Sequence, residues 1–246
     1  MAKRLLNGDG WRARIGIVVP SVNTVMEPWA HRTVPSGVSV FASRMFIPPA
    51  TTPEAFIEMD RTDGKSAIRQ LSSVFPDVIA YGCTASSIVQ GLAYDAHLRS
   101  EIEEAYAVPA TTAAHAILTA CQTLGAKTVS IVSPYTDEVD AAEHRYFESA
   151  GLKLRGGAHL GISDGFRLAE PEPEALFELG RKGFDAEADA LIVSCLNTRS
   201  HTVIAMLEQA LGKPVITSTQ ATLWHALRLA GIKDSIPGFG RLLEQH

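Results

Sequence analysis

Short apolar runs alternate with longer amphipathic stretches along the chain, and the two kinds of segment predict different elements. Seven runs rich in valine, isoleucine and small residues are typical of strands, several of them buried on both faces. They are RIGIVVP, VSVFASRM, DVIAYG, TVSIVSP, LKLRGGAHLG, ALIVSC and PVITS, beginning at residues 14, 38, 77, 128, 152, 190 and 214. Seven amphipathic stretches, beginning at residues 53, 94, 113, 136, 172, 202 and 219, predict helices, many ending at glycine. This alternation predicts an α/β fold with mostly parallel sheet.

The chain also contains an internal repeat. Pro20 and Pro134 each follow an apolar run, and Cys83 and Cys195 each follow another. The prolines are 114 residues apart (134 − 20) and the cysteines 112 residues apart (195 − 83). Such a near-constant separation predicts two similar βα units related by a pseudo-two-fold axis, with a cleft between them.

We therefore expect two lobes. Residues 1–112 plus 214–246 form the first lobe, which carries Cys83, and residues 113–213 form the second, which carries Cys195. Within each half a proline, Pro109 or Pro214, opens a short strand that leads into a helix. Because ligands of open parallel sheets bind beyond the carboxyl ends of the strands, we expect both cysteines in the cleft.

Two thiols that face one pocket can act on a single carbon as acid and base, or as nucleophile and acid. Each cysteine is followed by a sequence typical of a helix start, where free N–H groups favour a thiolate and lower its pKa. Similar donors are expected to hold a substrate carboxylate. The candidate donors to the thiolate are the hydroxyls of Thr84, Ser86, Ser87 and Thr198, and the candidate carboxylate binders are Ser21, Asn23, Thr24, Ser133 and Tyr135.

Several of these residues also have a purely structural interpretation. Asn23 can cap the following helix, and Tyr135 can serve as a packing aromatic. Cys121 lies on the helical spacing of Ile117 and Leu124, so we expect it to be a core residue without a chemical role.

Composition narrows the function classes. The chain has 246 residues, 46% hydrophobic and 20% charged, with a net charge of −5. It therefore has no broad basic face for nucleic acid, and neither a signal peptide nor a membrane span is expected. The lack of an expected signal peptide or membrane span, together with three cysteines that are too few for a disulfide framework, predicts a cytoplasmic protein. The histidines are scattered and no glycine-rich phosphate loop follows a strand, so we expect neither metal nor cofactor.

At this point a family resemblance can be stated. VPSVNTVMEP, YGCTASS, VSPYTDEVD, SCLNTRS and the tail from LEQALGKPVITS onward resemble the maleate cis-trans isomerase and arylmalonate decarboxylase branch of the aspartate/glutamate racemase superfamily. The resemblance covers nearly the whole chain after residue 13. It implies two Rossmann-like (flavodoxin-like) lobes that close over a small carboxylate without a cofactor.

The resemblance also implies roles for particular residues. Cys83 resembles the nucleophile of the isomerases, and Cys195 resembles their second, proton-handling cysteine. The implied carboxylate binders are Asn23, Thr84, Tyr135 and the backbone after Cys195. The full set of expected substrate-binding residues is Ser21, Asn23, Thr84, Ala85, Ser133, Tyr135, Leu196 and Asn197.

One position separates the two activities of this branch. The decarboxylases resemble this chain at Cys195 but have glycine in place of Cys83, which favours isomerase or racemase chemistry here. The isomerases also have an asparagine where this chain has Ser163, Asp164 and Gly165. An inward Asp164 would repel a dianion, and Arg199 would either offset that charge or face solvent.

These observations predict a cofactor-independent isomerase of a small carboxylate or dicarboxylate, with maleate as the first candidate and a homo-oligomer as the expected assembly. Three alternatives stay open at this point: a two-base racemase, an arylmalonate-type decarboxylase and a non-catalytic small-acid binding protein.

Overall fold

The computed structural model describes residues 8–246 and contains two four-stranded parallel sheets. The first has the order β2-β1-β3-β4, from β1 (Ala13–Pro20), β2 (Val38–Met45), β3 (Val78–Tyr81) and β4 (Ala110–Thr112). The second has the order β6-β5-β7-β8, from β5 (Thr128–Ser133), β6 (Lys153–His159), β7 (Ala190–Val193) and β8 (Val215–Thr217). Both sheets repeat the order of a flavodoxin-like fold, so the predicted fold class is confirmed.

Helices flank both sheets. Those of the first half are α1 (Met26–Thr33), α2 (Pro53–Met59), α3 (Lys65–Ser72), α4 (Thr84–Gln90), α5 (Leu92–Tyr106) and α6 (Ala113–Thr123). Those of the second half are α7 (Asp137–Ser149), α8 (Pro173–Gly183), α9 (Ile204–Leu211), α10 (Ser218–Leu229) and α11 (Gly240–Gln245). The central strands are fully buried, as expected for parallel strands covered on both faces.

The connection between β2 and β3 differs from the single helix that the sequence predicts over residues 53–75. Helices α2 and α3 are joined by a π-helical turn, Asp60–Gly64, which inserts one extra residue into the helical ladder. This turn directs Asp60 into the interior, where the residue is only 8% exposed. Helix α1 is missing from the prediction, although Met26, Trp29 and Ala30 have helical spacing and are buried.

The predicted lobe boundary is wrong at one strand. The sequence assigns residues 214–246 to the first lobe, but β8 pairs with β7 of the second sheet, with Leu191 opposite Val215. The three residues of β8 are fully buried there because they extend the edge of an apolar sheet. Helix α10 then returns and packs against α6, β4 and β3. The first seven residues of the expected first lobe, with Lys3 and Arg4 of the charged start of the chain, lie outside the described residues.

No helix within residues 8–246 is long and apolar enough to cross a membrane.

Cys121 provides a test of the packing between the lobes. The residue is fully buried on α6, and burial raises the pKa of its thiol to about 12. We expect Cys121→Ala to lower the free energy of unfolding by about 1 kcal/mol, because it removes one buried sulfur from a well-packed helix. Urea denaturation measures this change. In the folded wild type, iodoacetamide should leave the Cys121 peptide unmodified; rapid labelling of that peptide would contradict its assignment to the core.

Candidate active site

Two thiols lie at equivalent strand ends, one in each lobe. Cys83 follows β3 in an extended conformation and is the residue from which α4 begins. Cys195 follows β7 and Ser194, and its backbone has a left-handed φ of 82°. A residue with a side chain is strained in this conformation, and such strain is concentrated at functional sites. Both cysteines are free and almost completely buried.

The two thiols line one cavity between the lobes. Its volume is about 30 Å³, enough for one or two water molecules. The lining residues from the first lobe are Pro20, Val22, Asn23, Ile47, Thr51, Phe56, Gly82, Cys83, Thr84 and Ala85. Those from the second are Tyr135, Gly165, Leu168, Cys195, Leu196 and Asn197. None of these side chains is a basic or acidic group that is charged at neutral pH, so an acid bound here is held by hydroxyl, amide and backbone N–H groups.

Gly82 permits the close approach of the two lobes at the cavity floor. A Cβ atom on this residue would lie 2.7 Å from Leu196 Cδ2 and 2.9 Å from the Val18 carbonyl oxygen. Both distances are shorter than a normal contact, and the second involves backbone. The residue before Cys83 therefore has to lack a side chain.

Polar groups near the two sulfur atoms favour their thiolate forms. For Cys83 these are the backbone N–H groups of Ser86 and Ala85 in the first turn of α4, which act to lower its pKa. For Cys195 they are the Thr198 hydroxyl, the Asn197 backbone N–H and the Tyr135 hydroxyl, which act to lower its pKa.

Burial nevertheless dominates the ionisation of both thiols. Desolvation raises the pKa of Cys83 well above its usual value, and the negative charge of Asp60 raises it further. Desolvation also raises the pKa of Cys195, and the Glu143 carboxyl raises it further. The expectation of lowered pKa values from the sequence is thus wrong for the closed cleft. Cys195 also lacks the helix start that was expected to lower its pKa, because the next α-helix begins only at Ile204.

Six of the eight expected substrate-binding residues line the cavity: Asn23, Thr84, Ala85, Tyr135, Leu196 and Asn197. The Thr84 hydroxyl is buried and has no hydrogen-bond partner among the described residues. Asn23 Oδ1 accepts hydrogen bonds from the N–H groups of Val25 and Met26, and so caps α1, while its side chain still lines the cavity. Ala85 and Leu196 are apolar members of the lining.

Two predicted binders, Ser21 and Ser133, are not among the residues that line this cavity, and their hydroxyls have hydrogen-bond partners elsewhere. The Ser21 hydroxyl accepts a hydrogen bond from the Ile47 N–H, which ties β1 to the loop after β2. The Ser133 hydroxyl donates to Asp140 Oδ1 at 3.0 Å. Both hydroxyls therefore support the strand ends, and their role as substrate binders stays a prediction.

Asn197 connects the two lobes. Its Oδ1 accepts a hydrogen bond from the Thr24 N–H at 2.9 Å, and its Nδ2 donates to the carbonyl oxygens of Val22 and Gly165. The first two partners lie in the first lobe and the third in the second lobe. In this conformation Asn197 thus holds the cleft closed with every polar atom of its side chain.

A short backbone bridge closes the cleft from the other side. The N–H and the hydroxyl of Thr51 both donate to the Ser163 carbonyl oxygen, and the Gly165 N–H donates to the Pro49 carbonyl oxygen. These bonds form an isolated antiparallel bridge between Ala50 and Asp164. Because side-chain identity matters little to backbone hydrogen bonds, sequence patterns do not reveal this closure.

The hypothesis of an inward Asp164 is wrong. Its Oδ1 accepts hydrogen bonds from the N–H groups of Phe166 and Arg167 in a tight turn, and the side chain does not line the cavity. Arg199 also points away, since its guanidinium donates to the Glu170 and Pro171 carbonyl oxygens. Neither side chain therefore contributes charge to the cavity wall.

Two buried carboxyl groups behind the thiols are absent from the candidates that the sequence provides. Asp60 lies behind Cys83, and Glu143, which is fully buried on α7, lies behind Cys195. Burial raises the pKa of Glu143 to about 8, with a smaller contribution from Asp140. Glu143 is on the buried face of its helix, three and four residues from Tyr146 and Phe147. A glutamate at such an apolar position is the signal that would have identified it.

Within residues 8–246, no three histidine, cysteine, aspartate or glutamate side chains are grouped as metal ligands.

Each lobe thus has a thiol beyond the carboxyl end of a central strand, where flavodoxin-like sheets bind their ligands. Two such thiols are typical of a class of two-lobed α/β enzymes that act on small acids. The chain belongs to the arylmalonate decarboxylase family, whose model matches residues 15–243. It is 29% identical over 245 residues to a maleate isomerase of Geobacillus stearothermophilus, covering 94% of this chain and 96% of the relative.

Two solved structures have the same fold. One is a cysteine-to-alanine variant of the maleate isomerase Iso from Pseudomonas putida S16, solved with maleate. It is 27% identical with a TM-score of 0.88, covering 94% of this chain and 97% of that one. The other is an arylmalonate decarboxylase mutant in the liganded form, in which a glycine is changed to cysteine and a cysteine to serine. It is 27% identical with a TM-score of 0.89, covering 95% of this chain and 100% of that one.

The buried Glu143 predicts a pH-dependent stability. Its pKa is about 8 in the folded chain against 4.5 ordinarily. Between pH 4.5 and pH 8, the folded state therefore holds a proton on Glu143 that the unfolded state has lost. The wild type should therefore lose stability as pH rises from 4.5 to 8 relative to Glu143→Gln, by about 3 to 5 kcal/mol in total. Urea unfolding at a series of pH values measures the difference. Glu138→Gln, an exposed change on the same helix, should show no such trend.

Asn197 predicts how the cleft opens. Asn197→Ala removes the two side-chain hydrogen bonds that join the lobes, those with Thr24 and Val22, so iodoacetamide should alkylate Cys83 and Cys195 about tenfold faster. Peptide-resolved mass spectrometry measures both rates. Ser163→Ala is the matched control, since Ser163 contributes to closure through its carbonyl oxygen. Equal rates in the wild type and Asn197→Ala would show that this side chain does not limit opening.

Proposed function

We propose that this protein is a cofactor-independent cis-trans isomerase of a small unsaturated dicarboxylate, with maleate as substrate and fumarate as product. The observation that carries the proposal is the pair of thiols that line one closed cavity, one from each lobe. An isomerase of this kind needs one sulfur to bond to carbon and a second group to move a proton at the neighbouring carbon.

The position of Cys83 favours isomerisation over decarboxylation. In the arylmalonate decarboxylase mutant, the exchanged glycine and the exchanged cysteine are 114 residues apart (188 − 74). Cys83 and Cys195 are separated by 112 residues (195 − 83), and the two chains match over nearly their whole length. This supports the correspondence of Cys83 with the glycine that the mutation replaced. The present chain therefore has a second thiol where the decarboxylase without that mutation has glycine.

The chemistry balances without an external reagent. The Cys83 thiolate adds to one alkene carbon and forms a carbon–sulfur bond, while the alkene electron pair moves toward the adjacent carboxylate as an enediolate. The Cys195 thiol then gives its proton to the neighbouring carbon, and the central carbon–carbon bond, now single, rotates. Removal of that proton by the Cys195 thiolate expels Cys83 and leaves the trans alkene.

The cavity supports this charge movement with neutral donors. The unpartnered Thr84 hydroxyl, the Asn23 amide and the Tyr135 hydroxyl can hold the reacting carboxylate while it gains electron density. An uncharged Glu143 avoids a fixed negative charge behind Cys195, where a dianion would be repelled. The cavity has room for one or two water molecules, so substrate entry requires the hydrogen bonds between the lobes to open.

A cytoplasmic location and a homo-oligomeric assembly remain predictions from the sequence.

Trapping the intermediate tests the assignment of roles. Cys195→Ser should accumulate a covalent maleate adduct on the peptide that contains Cys83, because addition still occurs while proton transfer is slowed. Acid quenching followed by peptide mass spectrometry measures this adduct. Cys83→Ser should give no adduct and almost no turnover, because a serine hydroxyl is much harder to ionise than a thiol. Cys121→Ala, which changes a thiol outside the cavity, should behave as the wild type does.

Other outcomes would point to a different function. An adduct on Cys195 would reverse the two roles. Solvent deuterium incorporated at the α-carbon of an amino or hydroxy acid, with neither cysteine modified, would identify a two-base racemase. Saturable binding of maleate without any turnover would identify a small-acid binding protein.

A further inference from the structure

A second cavity lies between helices α3 and α5 of the first lobe. The connections from β2 to β3 and from β3 to β4 cross the sheet in the same direction, so right-handed crossovers place both helices on one face of it. The helices make few direct contacts with each other, and the space between them has a volume of about 480 Å³. This volume is typical of small-molecule sites, and no residue lines both this cavity and the one between the thiols.

The walls of this second cavity are mostly apolar. Ile68 on α3 and Leu98 and Ile102 on α5 are buried side chains that line it. Along α5 the cavity extends from Tyr94 to Tyr106, a length of about 18 Å. A ligand with an apolar body can therefore remove that body from water between the two helices.

One end of the cavity is polar, because Asp60 of the π-helical turn lies there and is 8% exposed. Its Oδ1 accepts a hydrogen bond from the Tyr81 hydroxyl at 2.6 Å. Its Oδ2 accepts hydrogen bonds from the Tyr94 hydroxyl at 2.6 Å, from the Gln90 amide at 2.7 Å and, at a shorter distance, from the Ser86 hydroxyl. Four donors around one carboxyl group are the environment of an ionised carboxylate, which only accepts hydrogen bonds.

The donors at this end are all in use, whereas some acceptors are not. The Tyr81 and Tyr94 hydroxyls donate to Asp60, and the two amide hydrogens of Gln90 go to Asp60 and to the Ser86 carbonyl oxygen. Among the described residues, Asp60 Oδ1 accepts one hydrogen bond and the Gln90 side-chain oxygen accepts none. A carboxylate or amide oxygen has two lone pairs, so both atoms can accept more. A ligand group that binds here therefore has to donate hydrogen bonds.

The other charged groups of the wall are exposed and paired. Arg61 pairs with Glu58 and Lys65 pairs with Glu101, and the Arg61 and Lys65 side chains are 70% and 86% exposed. Exposed pairs of this kind are surrounded by water and contribute little energy. Among the described residues that line the cavity, Asp60 is the charged group that is buried without a cationic partner. Its charge favours a positively charged ligand.

We propose that this cavity is a binding site for a small primary amine with an apolar body, such as an arylalkylamine. The ammonium group donates hydrogen bonds to Asp60 Oδ1 and to the Gln90 side-chain oxygen, and the apolar body lies between α3 and α5. A carboxylate of the same shape would find no free donor at this end and would be repelled by Asp60. The preference is thus the reverse of that in the active-site cavity, where neutral donors suit an acid.

Two probes with the same apolar body test this preference. Phenethylamine and hydrocinnamate share a phenyl ring and a two-carbon chain, and end in an ammonium and a carboxylate group. Saturation-transfer NMR titration of the whole protein at neutral pH and low salt measures the dissociation constant of each. We expect the amine to bind at least about tenfold more tightly at this site, because its hydrogen bonds to Asp60 are charge-assisted.

Binding at this site is identified by its loss in Ala105→Trp. Ala105 is an exposed residue of α5 that lines the cavity, so a tryptophan there occupies the space between the helices and leaves Asp60 in place. Any hydrocinnamate held at the thiols would still bind to this variant, because Ala105 does not line the active-site cavity.

Asp60→Asn should weaken the binding of phenethylamine at least about tenfold, because it removes the charge that holds the ammonium group. Glu101→Gln is the matched control. It removes a carboxylate from the wall of the same cavity, and it should change the affinity by less than about twofold because Glu101 is partly exposed and already paired. If Asp60→Asn does not fold, the two probes in the wild type and in Ala105→Trp decide the question alone.

The proposal is overturned if hydrocinnamate binds at this site as tightly as phenethylamine, or if Ala105→Trp leaves the affinity for the amine unchanged. It is equally overturned if Glu101→Gln weakens amine binding and a folded Asp60→Asn does not. An apparent affinity that falls as the protein concentration rises would mean that a second copy of the chain occupies the groove instead, and would also overturn it. None of these measurements involves turnover, so the isomerase assignment can fail while this proposal survives, and the reverse.

Discussion

The burial of two thiols in one water-poor cavity is the constraint on which the rest of this site depends. Desolvation raises the pKa of both Cys83 and Cys195, so neither sulfur ionises without help from its surroundings. Every polar group nearby acts on this balance: backbone N–H groups and hydroxyls favour a thiolate, and a neighbouring negative charge opposes it. The lobes are similar in fold, but these groups differ between them, so the two thiols have unequal surroundings.

The same constraint explains why the cleft closes as it does. A dry cavity protects a reactive thiolate and an enediolate from water, and it strengthens each hydrogen bond that points into it. Closure relies on Asn197 and on a backbone bridge between Ala50 and Asp164, and neither brings a full charge into the cavity. A salt bridge at these positions would introduce a charge beside the substrate. Neutral hydrogen bonds hold the lobes together and break at moderate cost when substrate enters.

The two buried acids illustrate how one fold, used twice, supports unequal chemistry. The π-helical turn after α2 places Asp60 among four donors, whereas Glu143 lies on a regular helix with none of normal geometry among the described residues. Local backbone irregularity in one lobe therefore changes the number of hydrogen-bond donors around the acid behind its thiol. A strictly symmetric duplication would present two equivalent sulfurs, which suits proton exchange on two faces of a carbon better than addition at one carbon and proton transfer at the next.

The amino-acid sequence by itself determined the α/β class, the repeat, the position of both thiols at strand ends and the family. These features follow from local patterns, since apolar periodicity defines strands and a strand end in a parallel sheet defines where ligands bind. Only the tertiary structure decided that β8 joins the second sheet, that the Ser21 and Ser133 hydroxyls bond to Ile47 and Asp140, and that Asp164 forms a turn. It also placed Asp60 and Glu143 behind the thiols. Those outcomes depend on which distant backbone and side-chain groups meet, and on how completely water is excluded there, which no local pattern encodes.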